Sequence, residues 1–401
     1  MLLTLFVPTR NRAPFLESLF TSLVDQQDQW TCEYEILVSD NASEDETEKV
    51  CASFADRLPV RYERHEEAIP LERDFAYCLQ RAQGKYALYC ADDDDLDLGV
   101  LDRSLRAMEE SPNTVALYAP HVLYDRVGKR ALGRIGQVGK TAIVAKRKFF
   151  ALLGSFLNSG LTPEMPILRT REAALLAEPQ SDNANTYFTL PGKLLVHGNI
   201  IFSPEPFYYY TTRDDRSDDR GVVLGEVWGM TPGAWDQKKG GLEYLFALAR
   251  ESGEVNDEQV RQIRQALDGF VLRKLVNAIR LRIKNRKSYV ETYYLAQRAV
   301  SLDPKVELPE KLQRIRSRAA LDSLAEGERY ACQPEQILLS DDVPDNVREY
   351  LEARGQLPVV DTESADPSKR TLAFSHGRDP DFGKIEPALH LTEQEVLLRF
   401  P

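Results

Sequence analysis

The chain has 401 residues, of which 43% are hydrophobic and 28% are charged, and its net charge at pH 7 is −12. This length predicts two or three domains, and the ordinary composition excludes a disordered or collagen-like protein. A chain this acidic is not expected to bind nucleic acid through a general basic field.

The cysteines argue against a disulfide framework or a cysteine-based zinc site, because their number is odd and no two form a C-x-x-C pair. They are Cys32, Cys51, Cys78, Cys90 and Cys332. Free thiols in a reducing compartment are the expected state. The N-terminus has the pattern of a buried strand and lacks the basic start of a signal peptide, so the sequence predicts a cytoplasmic protein.

The first hundred residues alternate between apolar strand patterns and helical patterns. Strands are predicted at 2–7, 34–38, 60–62 and 86–90, and helices at 13–24, 43–54 and 71–82. Ser43 and Glu46 have the spacing of a capping box, and Gly84 is expected to end the third helix. Apolar strands separated by helices predict an α/β fold with a mostly parallel, Rossmann-like sheet covered by helices on both faces.

Polar segments follow three of these strands: Pro8–Arg12, Asp40–Ser43 and Asp92–Asp95. In a parallel sheet they lie along one edge, which is where such sheets bind ligands. Four adjacent carboxylates repel one another unless water or a cation neutralises them, and Mg²⁺ or Mn²⁺ prefers such oxygen ligands. The pattern therefore predicts a site for a divalent ion and a diphosphate. The alternative is a solvated acidic loop that precedes the next helix.

Three further polar residues are candidates for the same site. A carboxylate at Asp40 can accept a hydrogen bond from a base N–H, and Arg12 can meet ribose or phosphate. Arg73 begins the helix that leads into the fourth strand and can reach the same edge. The structural alternatives are a turn residue for Asp40 and a surface charge for Arg73.

The stretches 7–12, 36–43 and 73–94 together resemble the N-terminal part of family-2 glycosyltransferases, which have the GT-A fold. The resemblance covers about a quarter of the chain. It implies a nucleotide-sugar donor (a UDP-sugar is favoured), a Mn²⁺ or Mg²⁺ ion on the donor diphosphate, and inversion at the anomeric carbon.

By this resemblance, the loop after the first strand holds the nucleoside, Asp40 contacts the base and Arg73 binds the donor. The implied donor-binding residues are Pro8, Thr9, Arg10, Arg12, Asp40, Asn41, Arg73, Asp92 and Arg213. The acidic run corresponds to the family's DxD element, in one of two registers. Alignment on Leu96 places Asp92 near the ribose and Asp93 on the metal, whereas the literal D-x-D spacing selects Asp92 and Asp94. All three are candidate metal ligands.

Inverting transfer needs a general base for the acceptor hydroxyl. Asp182, within Ser181-Asp182-Asn183 and before a helical pattern, matches the family's position for that base. Asp182 also suits a helix N-cap, which is compatible with the catalytic role. Glu178 and Glu164 are the alternatives.

The segment after Tyr208–Thr212 resembles a flexible loop in which family members often carry a histidine. This sequence has no histidine between Tyr208 and Arg220. Arg213 or Arg216 is expected to supply the cation that stabilises the departing diphosphate. A solvated charged loop is the alternative.

We predict a GT-A catalytic domain at 1–225, a helical domain at 226–330, and a mixed or irregular extension at 331–401, whose last part, 361–401, is expected to be irregular. The predicted helix 258–287 carries a basic stretch, whose residues are Arg273, Lys274, Arg280, Arg282, Lys284, Arg286 and Lys287. A solvated helix face is the favoured interpretation of this stretch. Contact with anionic lipid or a lipid-linked acceptor is the alternative, which would place the protein peripherally on the inner face of the membrane.

The sequence thus predicts a metal-dependent inverting glycosyltransferase with a glycan, lipid-linked or protein acceptor, and it leaves homo-oligomer formation open. A sugar-nucleotide nucleotidyltransferase is disfavoured, because that class carries a glycine-rich loop after the first strand and Pro8–Arg12 contains no glycine. The third hypothesis is a degenerate transferase domain that binds without catalysis.

Overall fold

The computed structural model describes residues 1–177, 184–213, 230–231, 233–326, 330–377 and 380–401. The described residues form two compact units. The first unit contains those up to 270 apart from 230–231, and the second contains 230–231 and 271–401.

The first unit is built on an eight-stranded sheet. Its strands are β1 (Leu3–Thr9), β2 (Tyr34–Asp40), β3 (Val60–Arg64), β4 (Tyr86–Tyr89), β6 (Thr114–Tyr118), β9 (Ala142–Val144), β10 (Ile167–Arg169) and β11 (Asn199–Phe202). Their order across the sheet is β3-β2-β1-β4-β10-β6-β11-β9. Strands β9 and β10 run antiparallel to their neighbours, and the others share one direction. The sheet is therefore mostly parallel, as predicted.

A smaller, four-stranded sheet begins at Asp95, the last residue of the acidic run (Asp92–Asp95). Its strands are β5 (Asp95–Leu96), β7 (His121–Asp125), β8 (Arg130–Ile135) and β12 (Tyr208–Arg213), in the order β5-β12-β7-β8. Strand β12 pairs antiparallel with β5 and parallel with β7. This pairing brings the residues after Phe207 next to the end of the acidic run.

Helices cover both faces of the large sheet. Leu3, Leu5 and Val7 of β1 share one core with α1 (Ala13–Asp25), α2 (Thr47–Phe54) and α4 (Leu98–Glu110). Phe6 points to the opposite face, where its ring lies 5.4 Å from that of Phe75 in α3 (Leu71–Arg81). The remaining helices are α5 (Phe149–Ser159), α6 (Thr170–Leu176), α7 (Thr186–Leu195) and α8 (Ala234–Glu251). Because both faces are buried, β1 is apolar along most of its length.

The strands and helices predicted for the first hundred residues are confirmed to within a few residues, but the capping box is wrong. Helix α2 begins at Thr47, and the side chain of its N-cap residue, Glu46, makes no capping hydrogen bond. The hydroxyl of Ser43 instead accepts a hydrogen bond from the backbone N–H of Asn11 at 2.9 Å. Ser43 therefore binds Asn11 of another loop and does not form the capping box with Glu46 that the sequence pattern suggested.

Gly84 has a different role from the predicted one. Helix α3 ends at Arg81 with Ala82 as its C-cap. A Cβ atom at Gly84 would lie 2.4 Å from the backbone nitrogen of Thr4 and 2.5 Å from the carbonyl carbon of Leu3. Glycine is needed here because the backbone passes close to β1.

The second unit combines helices with a four-stranded parallel sheet. Helix α9 (Asp257–Lys284) includes residues of both units and is followed by α10 (Tyr289–Leu302), α11 (Leu312–Ala325), α12 (Asp345–Arg354) and α13 (Glu393–Leu398). The strands are β13 (Gln336–Leu339), β14 (Val359–Val360), β15 (Thr371–Ser375) and β16 (Leu389–Thr392), in the order β14-β13-β15-β16.

The expectation that the segment 361–401 is irregular is wrong, because it contains β15, β16 and α13. Both strands have only four or five residues, and proline- and aspartate-rich segments separate them. Strands this short give too few residues for an alternating pattern to be recognised.

The basic stretch 273–287, whose last two residues follow α9, does not form one solvated face. Arg282 is buried, and its guanidinium donates to the carbonyl oxygen of Met230 at 2.8 Å and to Thr292 Oγ1 at 3.1 Å, and also pairs with Glu291. Arg273, Arg280, Lys284, Arg286 and Lys287 are exposed. Among the helices of the described residues, none combines the length and the apolar character needed to cross a membrane.

Candidate active site

The loops after β1, β2 and β4 lie side by side, because these strands are parallel neighbours in the sheet. The backbone N–H of Asn41 donates to the carbonyl oxygen of Thr9 at 2.8 Å, so β1 and β2 stay paired to their ends. The three polar segments predicted from the sequence therefore meet at the carboxyl edge of the sheet, where open α/β sheets bind ligands.

The acidic loop, residues 92–95, is held by two side chains from the β1 end. The hydroxyl of Thr9 donates to Asp92 Oδ2 at 2.7 Å, and both residues are buried. Arg12 Nε lies 2.8 Å from Asp92 Oδ1, and Arg12 Nη2 lies 2.5 Å from Asp93 Oδ2. One guanidinium thus bridges two adjacent carboxylates and offsets part of their mutual repulsion.

Asp94 is bound to β12. Its Oδ2 accepts a hydrogen bond from the Tyr208 hydroxyl, and its Oδ1 accepts one from the backbone N–H of Thr211, both at 2.8 Å. Burial, together with the negative charge of Asp93, raises the pKa of Asp94 well above its ordinary value. The next residue, Asp95, pairs with Arg126 at 2.6 Å. The second half of the acidic run therefore anchors the loop.

A set of polar contacts, the loop latch (Asn11, Ser43, Glu44 and Asp45), joins the loop after β1 to the loop after β2. Asn11 Oδ1 accepts from the backbone N–H of Glu44 at 2.7 Å, in addition to the bond from Asn11 N–H to Ser43. Asp45 Oδ2 accepts from the backbone N–H of Ala13, the first residue of α1, at 2.9 Å. Asn11 has a φ of 52°, in the left-handed region that few non-glycine residues adopt, and the latch stabilises this conformation.

Asp40 is placed at the end of β2, and its carboxylate is buried among protein donors. Its Oδ2 accepts from the Tyr62 hydroxyl at 2.5 Å, and its Oδ1 accepts from the backbone N–H of Ser43 at 2.9 Å. Arg64 Nε lies 3.8 Å from Oδ2. Asp40 therefore acts as the turn residue that the sequence suggested as its structural alternative, and a nucleobase would have to share or replace the Tyr62 hydroxyl.

Two interactions that shape this site have no counterpart in any sequence pattern. The side-chain amide of Asn41 donates to the carbonyl oxygen of Ile69 and accepts from its N–H, at 2.8 and 2.7 Å. Buried Asp74 accepts from the Ser39 hydroxyl at 2.5 Å and lies 3.1 Å from His65 Nε2. The first interaction joins the end of β2 to the segment before α3, and the second joins β2 to α3. Both depend on tertiary contacts, which a local sequence pattern does not encode.

A cleft of about 210 Å³, the strand-end cleft, opens between these loops. The predicted residues that line it are Pro8, Thr9, Arg10, Arg12, Asn41, Asp92 and Asp93, and the further lining residues are Leu71, Asp74, Tyr89 and Ala91. Asp40 and Asp94 are not among its lining residues. Arg73 is exposed in the first turn of α3, two residues from Leu71 on the cleft wall.

Several predicted residues fall outside the described part of the chain. These are Asp182, Glu178 and Arg216, together with the side chain of Arg213. Glu164 is described, and its Oε1 lies 3.0 Å from Nζ of buried Lys238. That ion pair gives Glu164 a structural partner.

The residues at one end of the strand-end cleft fit a hard divalent ion. Asp92, Asp93 and Thr9 supply only oxygen atoms, which Mg²⁺ and Mn²⁺ prefer. Within the described ranges, no group of three or more His, Cys, Asp or Glu residues is arranged to hold a metal ion. Mg²⁺ is usually bound by one or two carboxylates, and substrate phosphates and water complete its shell. The cleft therefore suits an ion bound together with a diphosphate.

Comparisons with known proteins identify relatives of part of this chain. Residues 4–158 match the family model described as glycosyl transferase family 2. Abequosyltransferase RfbV of Salmonella typhimurium is 33% identical over 98 residues, which are 24% of this chain. The match spans 29% of the length of that relative.

Two solved structures are similar over most of the chain. The S. aureus TarS 1-349 structure in complex with UDP-GlcNAc has 17% identity and a TM-score of 0.45, covering 82% of this chain and 93% of that one. The mannosyltransferase PcManGT from Pyrobaculum calidifontis, in complex with GDP-Man and Mn²⁺, has 15% identity and a TM-score of 0.44, covering 88% and 85%.

The family match begins at β1 and ends within α5, so it contains all three polar segments and every residue that lines the strand-end cleft. Residues 4–158 of this chain are thus similar to glycosyl transferase family 2.

Proposed function

We propose that the protein is an inverting glycosyltransferase, which moves a sugar from a nucleotide-sugar donor to a hydroxyl group of a glycan, lipid-linked or protein acceptor. The observation that carries the proposal is the strand-end cleft inside the family match. There Thr9 and Arg12 hold Asp92 and Asp93 at the carboxyl edge of a mostly parallel sheet.

The donor binds with its base toward the β2 side of the cleft and its diphosphate toward the acidic loop. Leu71 is half exposed on the cleft wall and offers an apolar surface to the flat face of the base. Asp40 is buried and does not line the cleft, so it can accept from a base N–H only after the Tyr62 hydroxyl gives up or shares its bond. A UDP-sugar is the favoured donor, as the family resemblance implies.

Asp92 and Asp93 would hold Mn²⁺ or Mg²⁺ with the donor diphosphate. When bound, such an ion supplies positive charge to the phosphate oxygens of the leaving group. The contribution of this chain is to keep both carboxylates in place through Thr9 and Arg12. The guanidinium of Arg12 also adds a fixed positive charge beside the site where diphosphate charge develops.

Asp182 is the proposed general base, because the resemblance places the family's base at this position. It removes the proton of the acceptor hydroxyl as the oxygen attacks the anomeric carbon, and the bond to the nucleoside diphosphate breaks on the opposite face. The ion pair between Glu164 and Lys238 supports Asp182 over Glu164. Arg213 is proposed to stabilise the departing diphosphate.

The test is isothermal titration calorimetry of the full chain with UDP, in the presence of Mn²⁺ and then of EDTA. The wild type should bind UDP more tightly with Mn²⁺, and Asp93→Asn should lose that difference. Asp94→Asn is the matched control: it changes the adjacent carboxylate, which is bound to Tyr208 and Thr211, and should keep the Mn²⁺ dependence.

Equal UDP affinity with Mn²⁺ and EDTA in the wild type would refute metal-dependent donor binding. If Asp94→Asn loses the Mn²⁺ dependence and Asp93→Asn keeps it, the literal D-x-D register is correct. A wild type that binds no nucleotide sugar from a panel of UDP-, GDP- and CDP-linked donors would refute the transferase proposal itself.

A further inference from the structure

The second unit contains a cleft of about 700 Å³, the helical cleft, which is within the usual size range of small-molecule sites. Four helices and the turn between α9 and α10 build it. Its lining residues are Ile283, Arg286, Ser288, Tyr289, Arg318, Asp322, Ala325, Glu326, Tyr350, Ala353 and Arg354. Charged groups and tyrosines therefore dominate the polar part of its wall.

Asp322 fixes the floor of the helical cleft. This buried carboxylate accepts from the backbone N–H of Tyr289 at 2.6 Å and from the Tyr350 hydroxyl at 2.7 Å. Arg354 donates to it through Nε at 2.9 Å and Nη2 at 2.6 Å. One acidic side chain thus joins α10, α11 and α12, so the wall of the cleft is preorganised.

The interior cations of this cleft are already neutralised. Arg354 is paired with Asp322, and Arg318 Nη1 lies 2.8 Å from Glu310 Oε1 and also donates to the Tyr289 hydroxyl. The guanidinium carbon of Arg318 lies 5.1 Å from the centre of the Tyr289 ring. A wall of paired charges and tyrosines suits a ligand with many hydroxyl groups and an apolar ring face.

Arg286 differs from the other arginines of the cleft. It is exposed, and within the described parts of the chain no carboxylate forms an ion pair with it. Its φ is 49°, at the end of α9, where the N–H of Lys287 bonds back to the carbonyl oxygen of Arg282. This is the position at which helices favour glycine.

A side chain at a strained position is informative, because glycine would give the same turn at lower cost. The Arg286 carbonyl oxygen accepts from Arg354 Nη1 at 2.8 Å, which fixes the turn and places the Arg286 side chain in the cleft wall. Arg286 therefore places a cation in the cleft wall at a turn where the backbone favours glycine.

We propose that the helical cleft is a second binding site, which takes a saccharide that carries one anionic group, a carboxylate or a phosphate. The anion is bound by Arg286, whose planar fork matches either group. The sugar ring lies along the wall formed by Arg318 and Tyr350. This site is independent of the proposed transferase activity, because the residues involved belong to the second unit and the claim concerns binding alone.

The test is an NMR titration of the full chain with four probes: glucose, glucuronate, glucose 6-phosphate and inorganic phosphate. Glucuronate and glucose 6-phosphate should bind more tightly than glucose or inorganic phosphate. Arg286→Gly should weaken their binding roughly tenfold or more, as expected for the loss of a charged hydrogen-bonding partner. The same variant should melt at or above the temperature of the wild type, because glycine relieves the left-handed backbone.

Two matched variants establish whether the probes bind in the helical cleft. Lys284→Gln removes an exposed cation from the last turn of α9 that does not line the cleft, and should leave binding unchanged. Arg12→Gln alters the strand-end cleft and should also leave the binding of these probes unchanged. Three results would each overturn the proposal. Arg286→Gly could bind the probes as tightly as the wild type, probe binding could be lost only in Arg12→Gln, or neither anionic sugar could bind at all. Inorganic phosphate that binds as tightly as glucose 6-phosphate would overturn it as well, because the sugar ring would then not be recognised.

Discussion

The hydroxyl of Tyr208 connects β12 to the acidic loop, so Tyr208→Phe tests how that loop is held. The hydroxyl donates to Asp94 Oδ2 at 2.8 Å and accepts from the backbone N–H of Ala91 at 3.0 Å. The ring is fully buried, and phenylalanine keeps its apolar packing. The substitution therefore removes two hydrogen bonds and little else.

The size of the effect follows from what each bond contributes. A hydrogen bond to a charged group contributes about 1.5–3 kcal/mol, and a neutral one about 0.5–1.5 kcal/mol. We therefore expect the free energy of unfolding to fall by about 3 kcal/mol. In a unit of this size each kcal/mol lowers Tm by about 2–4 °C, so Tm should fall by about 6–12 °C. UDP affinity in the presence of Mn²⁺ should fall as well, because Asp92 and Asp93 lie on the same loop.

The assay is a thermal melt monitored by circular dichroism, followed by calorimetry with UDP. Tyr209→Phe is the matched control, because Tyr209 is the next residue of β12 and is only half-buried. Its Tm should change by less than about 2 °C, as is usual for substitutions away from buried bonds. A Tyr208→Phe protein with the melting temperature and UDP affinity of the wild type would show that the acidic loop is held by other contacts.

Two further predictions concern the replacement of single carboxylates, first at Asp94 and then at the proposed base Asp182. The pKa of Asp94 is raised in the folded state, so its contribution to stability is present below about pH 4 and is lost as the pH rises through the raised value. Asp94→Asn should therefore gain stability relative to the wild type as the pH rises above about 4, and a stability difference that does not change with pH would contradict the assignment. Asp182→Asn should keep donor binding and reduce kcat about 100-fold or more, the usual range for a general base. Glu164→Gln should retain most of kcat, and the opposite ranking in steady-state assays would move the base to Glu164.

The order of strands and helices in the first hundred residues could be predicted because each element carries its own local signal. Strands β1, β2 and β4 are apolar on both faces, and helix α3 has its apolar residues at helical spacing. Placing three polar segments at one edge then required only the rule for parallel sheets. Seven of the predicted site residues do line the strand-end cleft.

The remaining features depend on partners far away in the sequence. The orientation of Asp94 is set by Tyr208, 114 residues later, so the four aspartates could not be assigned from their spacing. Ser43 binds Asn11 across 32 residues, and Gly84 is required by the backbone of Thr4. The sheet of the second unit could not be predicted for a different reason: its strands are too short to show an alternating pattern of apolar and polar residues.

The loop latch limits how the sequence of this site can vary. Surface loops usually accept insertions and deletions with little effect. Here Asn11, Glu44 and Asp45 fix the register of one loop against another, so one added residue in either loop would misalign several hydrogen bonds together. Changes in ligand preference at this cleft must therefore come from side-chain replacement at constant loop length. An engineered variant that exchanges one loop must carry the other loop with it.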